Sequence, residues 1–407
     1  MTTVLNMPRF GLDDARAMQD PYPVYRELRD HGPVCRGGPG QWVFSRHAEV
    51  SALLRDPRLG REFPEEYQAM SVGEGPANDY LRRIIIDRDP PDHTRLRRLL
   101  TKSLNPAMVR ALREPISTLV DGVLDQFADE GELDLVSDLA VPVPMMVMSE
   151  LLGIPVADRA TIARWSTSLA QAFAVFIPED KRREAHESVV HLRAYMSELL
   201  GERRRRPGED LLSRMITAVK DGAEPLSDDE IIDNALFVYY AGFETTTNVI
   251  ATGGDLLVRQ PHTQRQLRED PGTVTTALEE FMRYDAPIHA TTRMATETME
   301  VAGHTIRKGR VVVLLLASAN HDERVFPDPG RADVTRAPNP HVSFGGGVHH
   351  CLGAALARVE GAVVFERLTA RFADIEAAGE SVWNPSGGGF RFPYWAYRSI
   401  PVRVRPV

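Results

Sequence analysis

Four groups of residues in this chain could do chemistry. The first is the run Phe344-Gly345-Gly346-Gly347-Val348-His349-His350-Cys351-Leu352-Gly353. Three consecutive glycines remove side-chain obstruction, so the loop can lie flat against something large. The run delivers Cys351 to the start of an apolar pattern in which Leu352, Leu356, Val359 and Val363 recur at helical spacing. A sulfur at a helix N-terminus is expected as thiolate, the form a metal ligand takes. The residues alone leave two readings open, a metal ligand or a buried cysteine behind a glycine turn. A phosphate loop is excluded, because no Gly-Lys-Ser/Thr follows the glycines. The second group is His93 and Arg97, four apart on a Pro-initiated helix and therefore on one face, a pair that taken alone is usually surface decoration. The third is Tyr240-Ala241-Gly242-Phe243-Glu244-Thr245-Thr246-Thr247. On residue types alone, its threonines can bond back to carbonyls and bend a helix. The fourth is Glu280 and Arg283, ordinarily a surface pair worth roughly a few tenths of a kcal/mol.

Phe344, Gly345, Gly347, His349, Cys351 and Gly353 fit the pattern F-G-x-G-x-H-x-C-x-G. This resembles the haem-ligating loop of the cytochrome P-450 family, in its soluble bacterial type. The resemblance implies haem b, with Cys351 as the axial iron ligand that favours O–O cleavage. It implies Phe344 shielding the sulfur, Gly353 beside it, and His349 at a haem propionate. His93 and Arg97 are similar to the family's propionate-gripping pair, and Arg293 to its second propionate partner. Ala241 matches the small residue that makes room for O2, and Glu244 with Thr245 the acid–alcohol pair that feeds it protons. Glu280 and Arg283 look like the E-x-x-R pair that braces the cysteine loop through a further arginine, expected at Arg331. Two positions depart from the pattern: Phe243, expected to narrow the pocket, and Ala332, where an aromatic is usual.

The implied fold is mainly α with small β-sheets, a triangular haem-thiolate domain around a long central helix, as one domain over residues 1–407. The implied activity is insertion of one oxygen atom from O2 into a small hydrophobic molecule such as a secondary metabolite, terpenoid or macrolide-like compound. No G-x-G-x-x-G nucleotide motif is present, so the resemblance implies electrons from a separate ferredoxin and its NAD(P)H-dependent reductase, docking near Arg98 and Arg358. Oxidative coupling or ring formation is an alternative outcome. A non-enzymatic haem sensor and direct peroxide use are others, against which the Glu244–Thr245 pair weighs.

The elements that must position these groups are partly legible. Ser227 with Glu230 forms a capping-box signature, and the apolar pattern behind it meets no proline until Pro261. That predicts a helix of roughly thirty residues, about 45–50 Å long. Its Gly242 and three threonines are poor helix formers, so propensity is given up at the suspected site. Residues 105–220 read as helices punctuated by Pro142, Pro144, Pro155, Pro178 and Pro207. The stretch Ile162 to Ile177 resembles a lid over the substrate entrance. Strands are expected at Gln41 to Ser45, Pro287 to Arg293, Met299 to Gly303 and Arg310 to Leu316. From Asp56 to Asp87 the periodicity fades, which predicts a long substrate-facing loop, and Ser386 to Phe390 is expected as the last turn facing substrate.

Composition sets the bounds. Hydrophobic residues at 43% and charged residues at 26% of 407 suit a soluble globular protein. A net charge of −9 without a basic stripe argues against nucleic acid. Cys35 and Cys351 are the only cysteines, too few for a disulfide framework and consistent with a reducing cytoplasm. No stretch is apolar enough for a membrane span, and no linker divides the chain; a cytoplasmic monomer is expected.

Overall fold

The computed structural model describes residues 7–11, 15–127, 131–173, 177–220, 226–387 and 394–407. Its axis is the helix Asp228–Arg259, 32 residues long. The capping box forms as the sequence implies: Ser227 Oγ accepts the Glu230 N–H at 3.2 Å, and the Glu230 carboxylate accepts the Ser227 N–H at 2.9 Å. Buried residues occur on every side of this helix, the pattern of an element enclosed by others rather than laid on a surface. All three threonines bond back, Thr245 to Ala241, Thr246 to Gly242 and Thr247 to Phe243, at 2.8–2.9 Å. Gly242 has a packing reason, since a Cβ there would collide with the Met148 sulfur of the helix Pro142–Leu151.

The largest apolar cluster gathers the helices around this axis. A five-stranded mixed sheet stands beside them in the order Val34–Arg36, Gln41–Phe44, Val311–Leu315, Ala290–Ala295, Leu59–Gly60. The strand Val311–Leu315 is buried along its whole length. Val311, Val313 and Leu315 belong to one apolar cluster, whereas Val312 and Leu314 belong to another. A period-two strand covered on both faces reads as a continuous apolar run. Antiparallel pairing sets Arg293 opposite Val312. Cys35, buried in the first of those clusters, has its thiol pushed up to about 12 by burial and is an inert core residue.

The expected loop from Asp56 to Asp87 is instead mostly folded. Leu59–Gly60 is a strand, Glu65–Val72 and Pro76–Leu81 are helices, and Ile85–Asp87 is one 3-10 turn. The prolines and glycines there mark ends rather than a structureless stretch. Pro64 precedes the first helix, Gly73 ends it at φ 76°, and Pro76 opens the second. Of the lid stretch Ile162 to Ile177, residues 162–170 belong to the helix Arg159–Ala170 and the next three form the turn Gln171–Phe173, while residues 174–176 lie outside the described residues. Of the expected turn at Ser386 to Phe390, residues 388–390 lie outside the described residues. Among the described residues no helix is long and apolar enough to cross a membrane.

Candidate functional site

A cavity whose empty space, counted out to its mouth, is about 1750 Å³ gathers His93, Arg97, Ala241, Thr245, Arg293, Phe344, His349, Cys351 and Gly353 on its walls. Glu244, one residue from Thr245 and so about 100° around the helix, is not on the wall. Phe243 is not there either. It packs on the rings of Tyr239 and Tyr240 at 5.7 and 6.1 Å, so it does not narrow the cavity as expected.

The cysteine loop owes its course to two glycines, Gly345 at φ 69° and Gly347 at φ 65°. A Cβ on Gly347 would also press on the Leu54 carbonyl oxygen at 2.7 Å. Cys351 N–H donates to the Phe344 carbonyl at 2.9 Å, and Arg97 Nη1 donates to the His350 carbonyl at 2.7 Å. The Cys351 thiol is reachable from the cavity while protein encloses it otherwise. Its pKa is raised, not lowered as the helix-terminus reading expects. Burial outweighs the N–H groups of Gly353 and Ala354 and the charges of Arg97 and Arg358; the helix itself begins at Ala354.

Behind the loop lies a buried polar frame. Glu280, fully buried, accepts from Arg283 Nε and Nη2 at 2.8 Å, the Asp333 N–H at 2.9 Å and Asn339 at 3.1 Å. The third arginine is Arg336, whose Nε donates to both carboxylate oxygens at 3.1 and 3.2 Å. Arg331 therefore does not hold the position expected of it: its side chain is exposed, and it contributes its carbonyl to Arg283 and Arg336. The path of the proline-rich meander, residues 326–340, decides which arginine turns inward. Ser343 completes the link to the cysteine loop, donating to the Met282 carbonyl at 2.7 Å. Arg358 is also engaged, bonding Glu279 at 2.6 and 2.9 Å and lying 4.4 Å over the Phe344 ring.

The cationic groups form one cluster. The His93 and His349 rings lie 4.3 Å apart. Burial lowers the His93 pKa with help from Arg97, and burial with the charges of Arg61 and Arg293 brings His349 to about 4 despite Asp89. Arg293 is buried and bonds the Thr291 hydroxyl at 3.0 Å and the Thr292 carbonyl at 2.8 Å. Burial and the neighbouring Arg61 pull it down to about 9. No carboxylate among the described residues pairs with it. His349 Nε2 is buried without a hydrogen-bond partner among the described residues, with Asp89 at 3.6 Å. Two other cavity residues carry no sequence signal. Arg61 arrives through strand pairing, and Glu360 has its carboxyl pKa pushed well above the ordinary range by burial, with Oε2 unpartnered among the described residues. Phe173 lies on the wall and stacks on Tyr240, ring centroids 4.9 Å apart.

These residues fit a haem. A buried guanidinium lacking an anion and an orphaned imidazole nitrogen suit propionate carboxylates. A thiol reachable from the cavity suits iron, and at Gly353 a Cβ would meet nothing within 4 Å, leaving room for a flat ring. Fold and cavity together are those of a haem-thiolate oxygenase. The family model for Cytochrome P450 matches residues 58–388, and the chain belongs to that family. It is 34% identical over 393 residues to cytochrome P450 monooxygenase PikC of Streptomyces venezuelae, covering 94% of this chain and 91% of that one. To 6-deoxyerythronolide B hydroxylase of Saccharopolyspora erythraea it is 36% identical over 383 residues, covering 90% and 93%. The crystal structure of CalO2 matches with a TM-score of 0.90 at 31% identity, covering 98% of this chain and 99% of that one. The chain is thus a bacterial-type cytochrome P450 monooxygenase, a class that uses haem and O2, takes electrons from redox partners and binds hydrophobic substrates.

Proposed function

We propose that this chain, as one domain over residues 1–407 and as a cytoplasmic monomer, uses haem b to insert one atom of O2 into a small hydrophobic secondary metabolite, terpenoid or macrolide-like molecule. NAD(P)H supplies two electrons through a ferredoxin reductase and a separate ferredoxin. One oxygen atom enters a C–H bond of the substrate, and the other leaves as water with two protons. The observation that carries this reading is the convergence on one apolar cavity of Cys351, the cationic cluster and the Ala241–Thr245 face.

The haem, when bound, supplies the oxygen activation. Cys351 Sγ would hold its iron, with Phe344 and its carbonyl fixing the loop that carries the sulfur. His93, Arg97, Arg293 and His349 would hold the propionates, where charge-assisted hydrogen bonds are strongest. Ala241 keeps its side of the cavity free of bulk. The Thr245 hydroxyl proton is committed to the Ala241 carbonyl, so from the cavity wall Oγ1 would act as an acceptor for a water or hydroxyl. Glu244, behind the wall, would resupply protons to that oxygen by turning its carboxyl or through water. The apolar lining excludes bulk water and orients a substrate of matching shape.

The test is turnover of candidate substrates with a surrogate ferredoxin, its reductase and NADPH under isotope-labelled O2. One labelled oxygen atom per product molecule is expected. Thr245→Ala is expected to consume NADPH while releasing peroxide in place of product, and equal coupling in the variant would refute the proton role.

A further inference from the structure

Arg61 follows the two-residue strand Leu59–Gly60, whose antiparallel pairing with Met294 and Ala295 carries it to Arg293. The approach is close because Gly60 lacks a side chain; a Cβ there would collide with the Asp89 carboxylate. Those carboxylate oxygens accept the Arg61 N–H at 2.8 and 3.0 Å and the Glu62 N–H at 2.9 Å, which fixes the backbone. The Arg61 side chain lies on the cavity wall, more than nine-tenths buried as a residue.

Its guanidinium works in two directions. Nε donates to the Ile86 carbonyl at 3.0 Å and Nη2 to Asp87 at 3.3 Å. Ile86 and Asp87 belong to the turn that walls the cavity. Nη1 donates to the Thr291 hydroxyl at 2.8 Å, the same oxygen that accepts Arg293 Nη1 at 3.0 Å. Both also donate to the Thr292 carbonyl, Arg61 Nη1 at 3.4 Å and Arg293 Nη1 at 2.8 Å, so two buried guanidinium groups share two neutral acceptors, and Asp87 is within ion-pair distance of Arg61 but not of Arg293. Like charges this close, out of water, repel strongly unless an anion joins them.

We propose that Arg61 is a positioning residue of this oxygenase. With Arg293 it fixes a haem carboxylate, and through Ile86 and Asp87 it ties that anion to the substrate-facing wall. The inference rests on the haem reading above. It makes the shape of the cavity wall depend on the cofactor's carboxylate, so Arg61 influences which substrates the wall accepts.

The test uses the haem-loaded protein with Arg61→Gln and Arg61→Lys, and three readouts other than turnover. These are the rate of haem transfer to apomyoglobin, the haem reduction potential, and hydrogen exchange of the amides at 85–88. In Arg61→Gln, haem transfer should speed up by about ten- to a hundredfold, as for a lost charged hydrogen bond. Its potential should fall, since a cation beside the haem favours the reduced state, and exchange at 85–88 should quicken. Arg61→Lys keeps the charge but loses the fork, so the potential should return while exchange stays fast. Unchanged transfer and potential in Arg61→Gln, with the carbon monoxide band of thiolate-ligated haem retained, would overturn the inference and leave the haem reading standing. If Arg61→Gln does not accumulate, Arg61→Lys decides: wild-type exchange at 85–88 overturns the proposal. A wild type that takes up no haem fails the underlying reading instead.

Discussion

Replacing Arg336 by alanine removes two charge-assisted hydrogen bonds, at 3.1 and 3.2 Å, from a carboxylate with no solvent exposure. It also removes donors to the Pro327 and Arg331 carbonyls, at 3.0 and 3.3 Å, that hold the meander. Breaking a buried pair outright costs about 3–5 kcal/mol. Glu280 keeps Arg283, Asn339 and the Asp333 N–H, so the lower end, about 3 kcal/mol, is expected. Arg331→Ala removes an exposed side chain and should change stability by less than about 0.5 kcal/mol. Urea unfolding of both variants, followed by circular dichroism, separates them by midpoint at constant slope. Arg336→Ala should also lose haem more readily, because the same frame reaches the cysteine loop through Ser343 and Met282. Equal destabilisation by the two substitutions, or a larger effect at Arg331, would refute this assignment of the frame.

Two further outcomes follow from packing and charge. Gly253→Ala would drive a methyl group into the Phe365 ring and to 2.7 Å from Phe281, an overpacking worth about 1–3 kcal/mol, measurable as a lower urea midpoint. Burial raises the Glu279 pKa, but hydrogen bonds from Arg358 and His341 outweigh it and hold the carboxyl at about 2, below its ordinary 4.5. A depressed carboxyl stabilises fully above about 4.5, and that contribution disappears as pH falls through about 2. After allowance for partial exposure it is worth about 2 kcal/mol. Glu279→Gln should therefore flatten the loss of stability between about pH 5 and 2, and an unchanged acid limb would contradict the pairing.

Local chemistry was the legible part. The capping box, the long apolar pattern behind it and the glycine–cysteine run each encode their structure within a few residues, and the structure builds them where the spacing implies. The stretch 56–87 misled because Pro64, Gly73 and Pro76 punctuate short helices, and short helices leave little periodicity to detect. Arg61 and Arg336 were hidden for another reason. Each is placed by chain segments twenty-five or more residues away, Arg61 by Ile86 and Thr291 and Arg336 by Glu280. The Cys351 thiol shows a third limit, since its raised pKa reflects burial by the whole fold rather than the nearby helix start.

The central claim is that Cys351 binds haem iron as a thiolate. Reduced, carbon monoxide-treated protein should show the red-shifted absorption band of thiolate-ligated ferrous haem, and Cys351→Ala should bind haem without that band. A band that survives in Cys351→Ala, or is missing from fully haem-loaded wild type, would contradict the account.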